Sequence, residues 1–199
     1  MSPLQKIAMG FVFIAGYAPF PAHPHPHWRV YDGLADPIGW VLVILGIRGL
    51  CAVAGGFDGA RWAAWVAGTV SVPLWVPQIS HALSDSGAWA LSMPQTLFCL
   101  LLAKGIADGA LTEEPGDRYL PKRFGVLMWA FVALVLLPPI AIGGNIPQLD
   151  DVTVAAAFVV NLAFIYYVFR VHRREWLGGP GPLLIHPRPR NDESRPTSD

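Results

Sequence analysis

Charge is scarce in this sequence. Acidic and basic side chains make up 14% of its 199 residues, where an ordinary soluble domain carries roughly 25%, so the chain cannot cover a water-facing globule in the usual way. Neither sign is in excess. Lys plus Arg number 14 and Asp plus Glu number 14, which removes both the basic surplus that nucleic-acid binding draws on and the acidic run of a solvating tail. Nucleic acid is therefore not an expected partner. Cysteine is limited to Cys51 and Cys99, both inside apolar runs and without CxxC spacing, where a thiol behaves as a small hydrophobe. The sequence also lacks GxSxG, HExxH, a phosphate-cradling GxxxxGK[ST] and any intramembrane Ser/Lys or Asp/Asp pair. No catalytic residue and no cofactor is expected from motifs of that kind.

What remains is apolar. Hydrophobic residues reach 53% and aromatic residues 12%, and a polar C-terminal stretch dilutes that average, so the apolar residues are concentrated in blocks. A helix needs about 20 mostly apolar residues to cross a hydrocarbon core of about 30 Å. Stretches near 4–20, 37–55, 62–79, 87–106, 124–142 and 152–169 approach this length. The first carries an early cation, Lys6, but Pro19 follows the best small pair, Gly16 and Ala18, and Phe20 spoils a cut after Ala22. The stretch is read as a span rather than a signal peptide. The expected fold is an all-α polytopic membrane protein, a bundle of six transmembrane helices arranged as three hairpins. It covers 1–176 and is followed by a disordered cytoplasmic tail, 177–199, rich in Pro, Gly, Arg and Ser with little to bury.

Lys and Arg near span ends stay cytoplasmic. With the N-terminus inside, Lys6, Arg48, Arg61, Lys104, Arg118, Lys122, Arg123, Arg170, Arg173, Arg174, Arg188, Arg190 and Arg195 all fall on the cytoplasmic side, and only Arg29 falls outside. The expected location is the plasma membrane, with both termini cytoplasmic. The loop 108–123 mixes acids and bases and is expected as a solvated connector. Prolines recur near the outer ends of odd spans (Pro19, Pro21; Pro73, Pro77; Pro138, Pro139) and aspartates at the openings of even ones (Asp36; Asp85; Asp150, Asp151). Each aspartate is expected to cap its helix and match the positive dipole end.

Imidazole is the commonest metal ligand, and His23, His25 and His27 alternate with proline in the first outer loop while His81 stands in the next. Asp32, Asp36, Asp85, Asp150 and Asp151 could complete a site. Polyproline II geometry points successive histidines about a third of a turn apart, so the run is expected to be a stiff titratable loop without tight metal binding. No span contains Asp or Glu. The candidate polar residues within spans are Ser71 and Gln78, then Ser92, Gln95 and Thr96 around the kink expected at Pro94, then Asn161. Such residues line transport paths, or staple helices at about 0.6 kcal/mol each. Gly39 and Gly46 on one helix face, and Ala64 with Gly68, favour close packing. Trp28, Trp40, Trp62, Trp89 and Trp176 are expected as interfacial anchors.

Arg48 stands apart. Asp85 to Lys104 and Asp151 to Arg170 are each 19 residues apart, about 28 Å of helix, whereas Asp36 to Arg48 spans 12, about 18 Å. Either its guanidinium snorkels, or the span tilts or ends early at Gly49, or Arg48 faces the interior. An interior Arg48 would meet helix-end carbonyls, amides such as Asn161, or an anionic ligand or lipid headgroup. Arg48, Gln95 and Asn161 form the candidate intramembrane polar site.

The run Asp36-Pro37-Ile38-Gly39-Trp40, continuing to Gly46-Ile47-Arg48-Gly49-Leu50, resembles a stretch in small, uncharacterised bacterial multi-pass integral membrane proteins. There an acid-Pro pair at a span entry precedes Gly-aromatic and then Gly-Leu. The resemblance implies a bacterial membrane protein and carries no activity with it. The function expected from all this is that of a non-catalytic accessory protein whose partners are the lipid bilayer and another membrane protein or a second copy. The alternative is a small carrier or channel for an ion or small molecule, and a metal site or enzyme would need the outer histidines and carboxylates to converge.

Overall fold

The computed structural model describes residues 1–16, 18–20, 31–32, 34–80, 82–113, 119–144 and 146–182. The described chain is helical: α1 (Pro3–Ala15), α2 (Asp36–Val53), α3 (Asp58–Leu74), the single turn α4 (Pro77–Ser80), α5 (Asp85–Thr112), α6 (Tyr119–Gly144) and α7 (Pro147–Val171), then a 3-10 turn at Glu175–Leu177. Between α1 and α2, Pro19–Phe20 pairs antiparallel with Tyr31–Asp32. Four helices are long and apolar enough to cross a membrane: Asp36–Val53, Ser86–Thr112, Tyr119–Gly144 and Asp151–Val171.

The first and third expected spans are shorter than the sequence implies. Helix α1 has 13 residues, about 20 Å, because its C-cap Gly16 turns extended at ψ 151 and Pro19 disfavours helical geometry at Ala18. Helix α3 has 17 residues, about 26 Å. It starts at Asp58, ahead of the expected start, and stops at Leu74 because neither Pro73 nor Pro77 can donate a backbone hydrogen bond. The connector expected over 108–123 is largely helix, since α5 runs to Thr112 and α6 begins at Tyr119.

The N-cap positions belong to other residues than these aspartates. Asp36 is the first residue of α2, behind an N-cap Ala35 that makes no side-chain cap bond, and Asp85 follows Ser84, whose hydroxyl accepts from the Gly87 N–H. Helix α7 opens at Pro147, so Asp150 and Asp151 lie within its opening turns behind Ile146, which also makes no cap bond. All of these acids stand in opening turns, where a negative charge suits the positive end of the helix dipole.

Packing joins the helices into a closed ring in the order α1, α2, α3, α5, α6, α7 and back to α1. Residue contacts along the α1–α2, α2–α3 and α6–α7 seams show neighbours running antiparallel. A Cβ on Gly10 would come 2.5 Å from Gly39 O, and one on Gly46 would come 2.7 Å from Pro3 O, so α1 starts beside the end of α2. Only glycine at these positions lets the two backbones come so close. A Cβ on Gly68 would come 3.1 Å from Ile44 and 3.3 Å from Trp40, in the same sense, and the pairs Phe131–Phe164 and Phe124–Tyr167 set α6 against α7. The alternation brings every Lys and Arg of the described residues, from Lys6 to Arg174, to one end of the ring.

The axis of the ring is filled. Phe11 stacks on Phe98 at 5.6 Å and meets Trp40 and Phe164 edge-on, while Phe131 meets Phe164 at 5.5 Å. Large apolar side chains also cover the outside, Trp129, Val154 and Phe158 among them. Such an inventory suits a hydrocarbon solvent and not water.

Beyond α7 the chain folds back over the cationic end. Leu177 is fully buried, Trp176 covers Gly109 of α5, and Gly178, at φ +73, packs on Pro3 and Val53. Arg173 Nε donates to Gly181 O at 2.9 Å, and the Gly181 N–H returns a bond to Arg173 O. The segment expected as the start of the tail thus begins as a folded cap, and 183–199 lie outside the described residues.

Candidate functional site

In hydrocarbon a hydroxyl or amide must find its partner within the protein, and the helices supply one locally. Ser71 donates to Gly68 O at 2.8 Å, Ser92 to Trp89 O at 2.8 Å, Thr153 to Leu149 O at 2.6 Å, and Asn161 Nδ2 to Ala157 O at 2.8 Å. These bonds run back one turn along the same helix, so Asn161, read as a possible staple between helices, is satisfied within α7.

Two recesses collect the remaining polar groups, one at each end of the ring. At the end opposite the cations, α2, α3, α4 and α5 enclose about 270 Å³ lined by Asp36, Trp40, Ser71, Ser80, Ser92 and Gln95. Helix α4 supplies Ser80 because the prolines that end α3 turn the chain over this opening. The recess presents a carboxylate, an amide and three hydroxyls around an indole, a set that can accept from and donate to a small hydroxylated or cationic solute. At the cationic end, Arg48 of α2 and Arg61, Trp62 and Trp65 of α3 line a second recess of about 390 Å³. Arg61 pairs with Asp58 at 3.0 Å, and Arg48 is exposed on the outer surface of the ring.

The candidate polar site is therefore not one site. Gln95 and Arg48 line recesses at opposite ends, and Asn161 lies on α7, across the ring from α3. The question over Arg48 resolves outward: α2 continues past Gly49 to Val53, and the guanidinium does not face the interior. His23, His25, His27 and His81 lie outside the described residues, and among the described residues no three His, Cys, Asp or Glu side chains gather closely enough to hold a metal ion.

The tryptophans divide. Trp62 is 67% exposed, as an interfacial anchor should be, whereas Trp40 is 2% exposed and belongs to the aromatic axis. Helical phase explains the difference: Trp40 shares a face with Val43 and Ile47 of the buried stripe. Trp89 Nε1 is buried without a hydrogen-bond partner among the described residues. Sequence reasoning missed Arg61, Trp62 and Trp65 as companions of Arg48. Their i, i+1, i+4 spacing on α3 was the available signal, but the register of α3 against α2 was needed to use it. Compared with known proteins, the chain matches no family model, no curated protein and no solved structure.

Proposed function

We propose that all six ring helices cross the plasma membrane as three hairpins, with the cationic end and both termini cytoplasmic, and that the protein is a non-catalytic accessory subunit assembling with another membrane protein or a second copy. The observation that carries this reading is the aromatic axis. Phe11, Trp40, Phe98, Phe131 and Phe164 occupy the place where a conduit through the ring would run, which leaves the outer surface as the working face. Helices α1 and α3 are short for the hydrocarbon but complete the ring, and a locally thinned bilayer accommodates such spans at modest cost. The sorting of every described cation to one end supports the orientation. Extraction in mild detergent and mass measurement test the role. A stoichiometric complex heavier than the 21.6 kDa chain is expected, and a monodisperse monomer would overturn it.

The carrier reading keeps one specific observation in its favour, the recess of Asp36, Ser71 and Gln95. It requires protein-dependent solute flux into proteoliposomes that Gln95→Leu abolishes.

A further inference from the structure

We propose that the recess between α2 and α3 binds the phosphate of an anionic glycerophospholipid, with an acyl chain of that lipid lying in the apolar groove beside it. The two arginines there sit inside the helix ends. Arg48 is five residues short of the α2 terminus at Val53, about 7.5 Å along the axis, and Arg61 is three residues into α3. Trp62 and Trp65, on the same wall, are 67% and 46% exposed, and indoles of this kind settle at headgroup depth. The four side chains therefore place two guanidiniums at the level of lipid phosphates and not in bulk water.

The charge is open to a ligand. Asp58 engages one nitrogen of Arg61, which leaves other N–H donors of that fork, and Arg48 makes no hydrogen bond or ion pair with the described residues. The local set of two arginines and one aspartate carries a net positive charge. Planar guanidiniums match phosphate oxygens in paired hydrogen bonds.

Trp62 has a second role that selects a lipid over a free phosphate ion. It also lines a groove of about 500 Å³ bounded by Val66, Met93, Pro94, Leu97 and Val135, between α3, α5 and α6. One indole thus separates a cationic recess from an apolar groove, which is the amphipathic form of a phospholipid. The assignment needs only a membrane surface at this end of the ring and does not depend on the accessory role.

The test uses the full chain, purified and delipidated, titrated with phosphatidylglycerol or phosphatidylcholine and read by native mass spectrometry. Phosphatidylglycerol is expected to bind in preference. Arg48→Gln should weaken it about fivefold and the Arg48→Gln/Arg61→Gln pair about twenty-five-fold, while Lys104→Gln, at the same end on α5, leaves it unchanged. If the double variant fails to insert, Arg48→Gln carries the test alone, since that side chain has no described partner to lose. Absence of a preference for the anionic lipid, or an equal loss in Lys104→Gln, overturns the proposal. Displacement of the lipid by millimolar inorganic phosphate overturns it too, by identifying the free ion as the ligand.

Discussion

At the scale of single residues, what matters is how much room each position leaves. On the α1–α2 seam a Cβ at Gly46 would lie 2.6 Å from Ile7 Cγ1 and 2.7 Å from Pro3 O, whereas one at Gly125 of α6 meets nothing within 4 Å. The same substitution therefore has opposite signs at the two sites. Gly46→Ala is expected to destabilise by about 1–3 kcal/mol through forced separation of the backbones. Gly125→Ala should stabilise by about 0.5–1 kcal/mol because alanine gives up less conformational freedom on forming helix. Denaturation in detergent of the two variants beside the parent measures both. A similar contrast separates the aromatic residues: Phe98 is fully buried while Phe158 is 65% exposed. Phe98→Ala should cost about 3 kcal/mol in lost packing, whereas Phe158→Ala changes a lipid contact and leaves stability close to the parent's.

Elements in this protein are bounded by proline and finished by packing. Pro73 and Pro77 stop α3 and open α4, and Gly16 with Pro19 stops α1. The sequence marks these residues plainly, yet apolar composition continues through both stops and so overstates the two spans. The cap after α7 is the reverse case. Its composition of Gly, Pro and Arg resembles a free tail, but Leu177 finds a closed pocket and Gly178 a left-handed turn at φ 73. This cap lies at the end of the ring, where burial removes apolar surface from water and the hydrophobic effect acts in full, unlike contacts between lipid-facing helices. Leu177→Ala is expected to cost about 2–5 kcal/mol. Faster proteolysis after α7 and a lower melting temperature are the measurements that check it.

For the whole molecule, the ring sorts charge by alternation: the described cations gather at one end because α1, α3 and α6 start, and α2, α5 and α7 finish, with Lys or Arg close by. Tyr119 at the head of α6 gathers the guanidiniums of Arg123 and Arg170 at 5.3 and 5.5 Å, and Lys104 pairs with Asp108 on α5. The proposed orientation predicts the outcome of labelling in intact cells. In a background with Cys51 and Cys99 replaced by alanine, Ala82→Cys should react with an impermeant maleimide and Lys122→Cys should be protected. Reaction at position 122 with protection at 82 would invert the topology.

The sequence by itself determined the helical class, the approximate place of each apolar block, the grouping of cations and the small-residue face of α2, because these depend on composition and period along one chain. It also named Arg48 and Gln95 as polar residues of interest. Only the tertiary structure decided that they stand in separate recesses at opposite ends, that Trp40 belongs to the core and Trp62 to the surface, and that Arg48 shares its surroundings with Arg61. Each of these depends on the rotation and register of one helix against another, which local pattern leaves open. Contacts such as Gly46 on Pro3, Gly68 on Trp40 and Phe11 on Phe98 fix that rotation, since close packing admits one relative placement of the helices at a time.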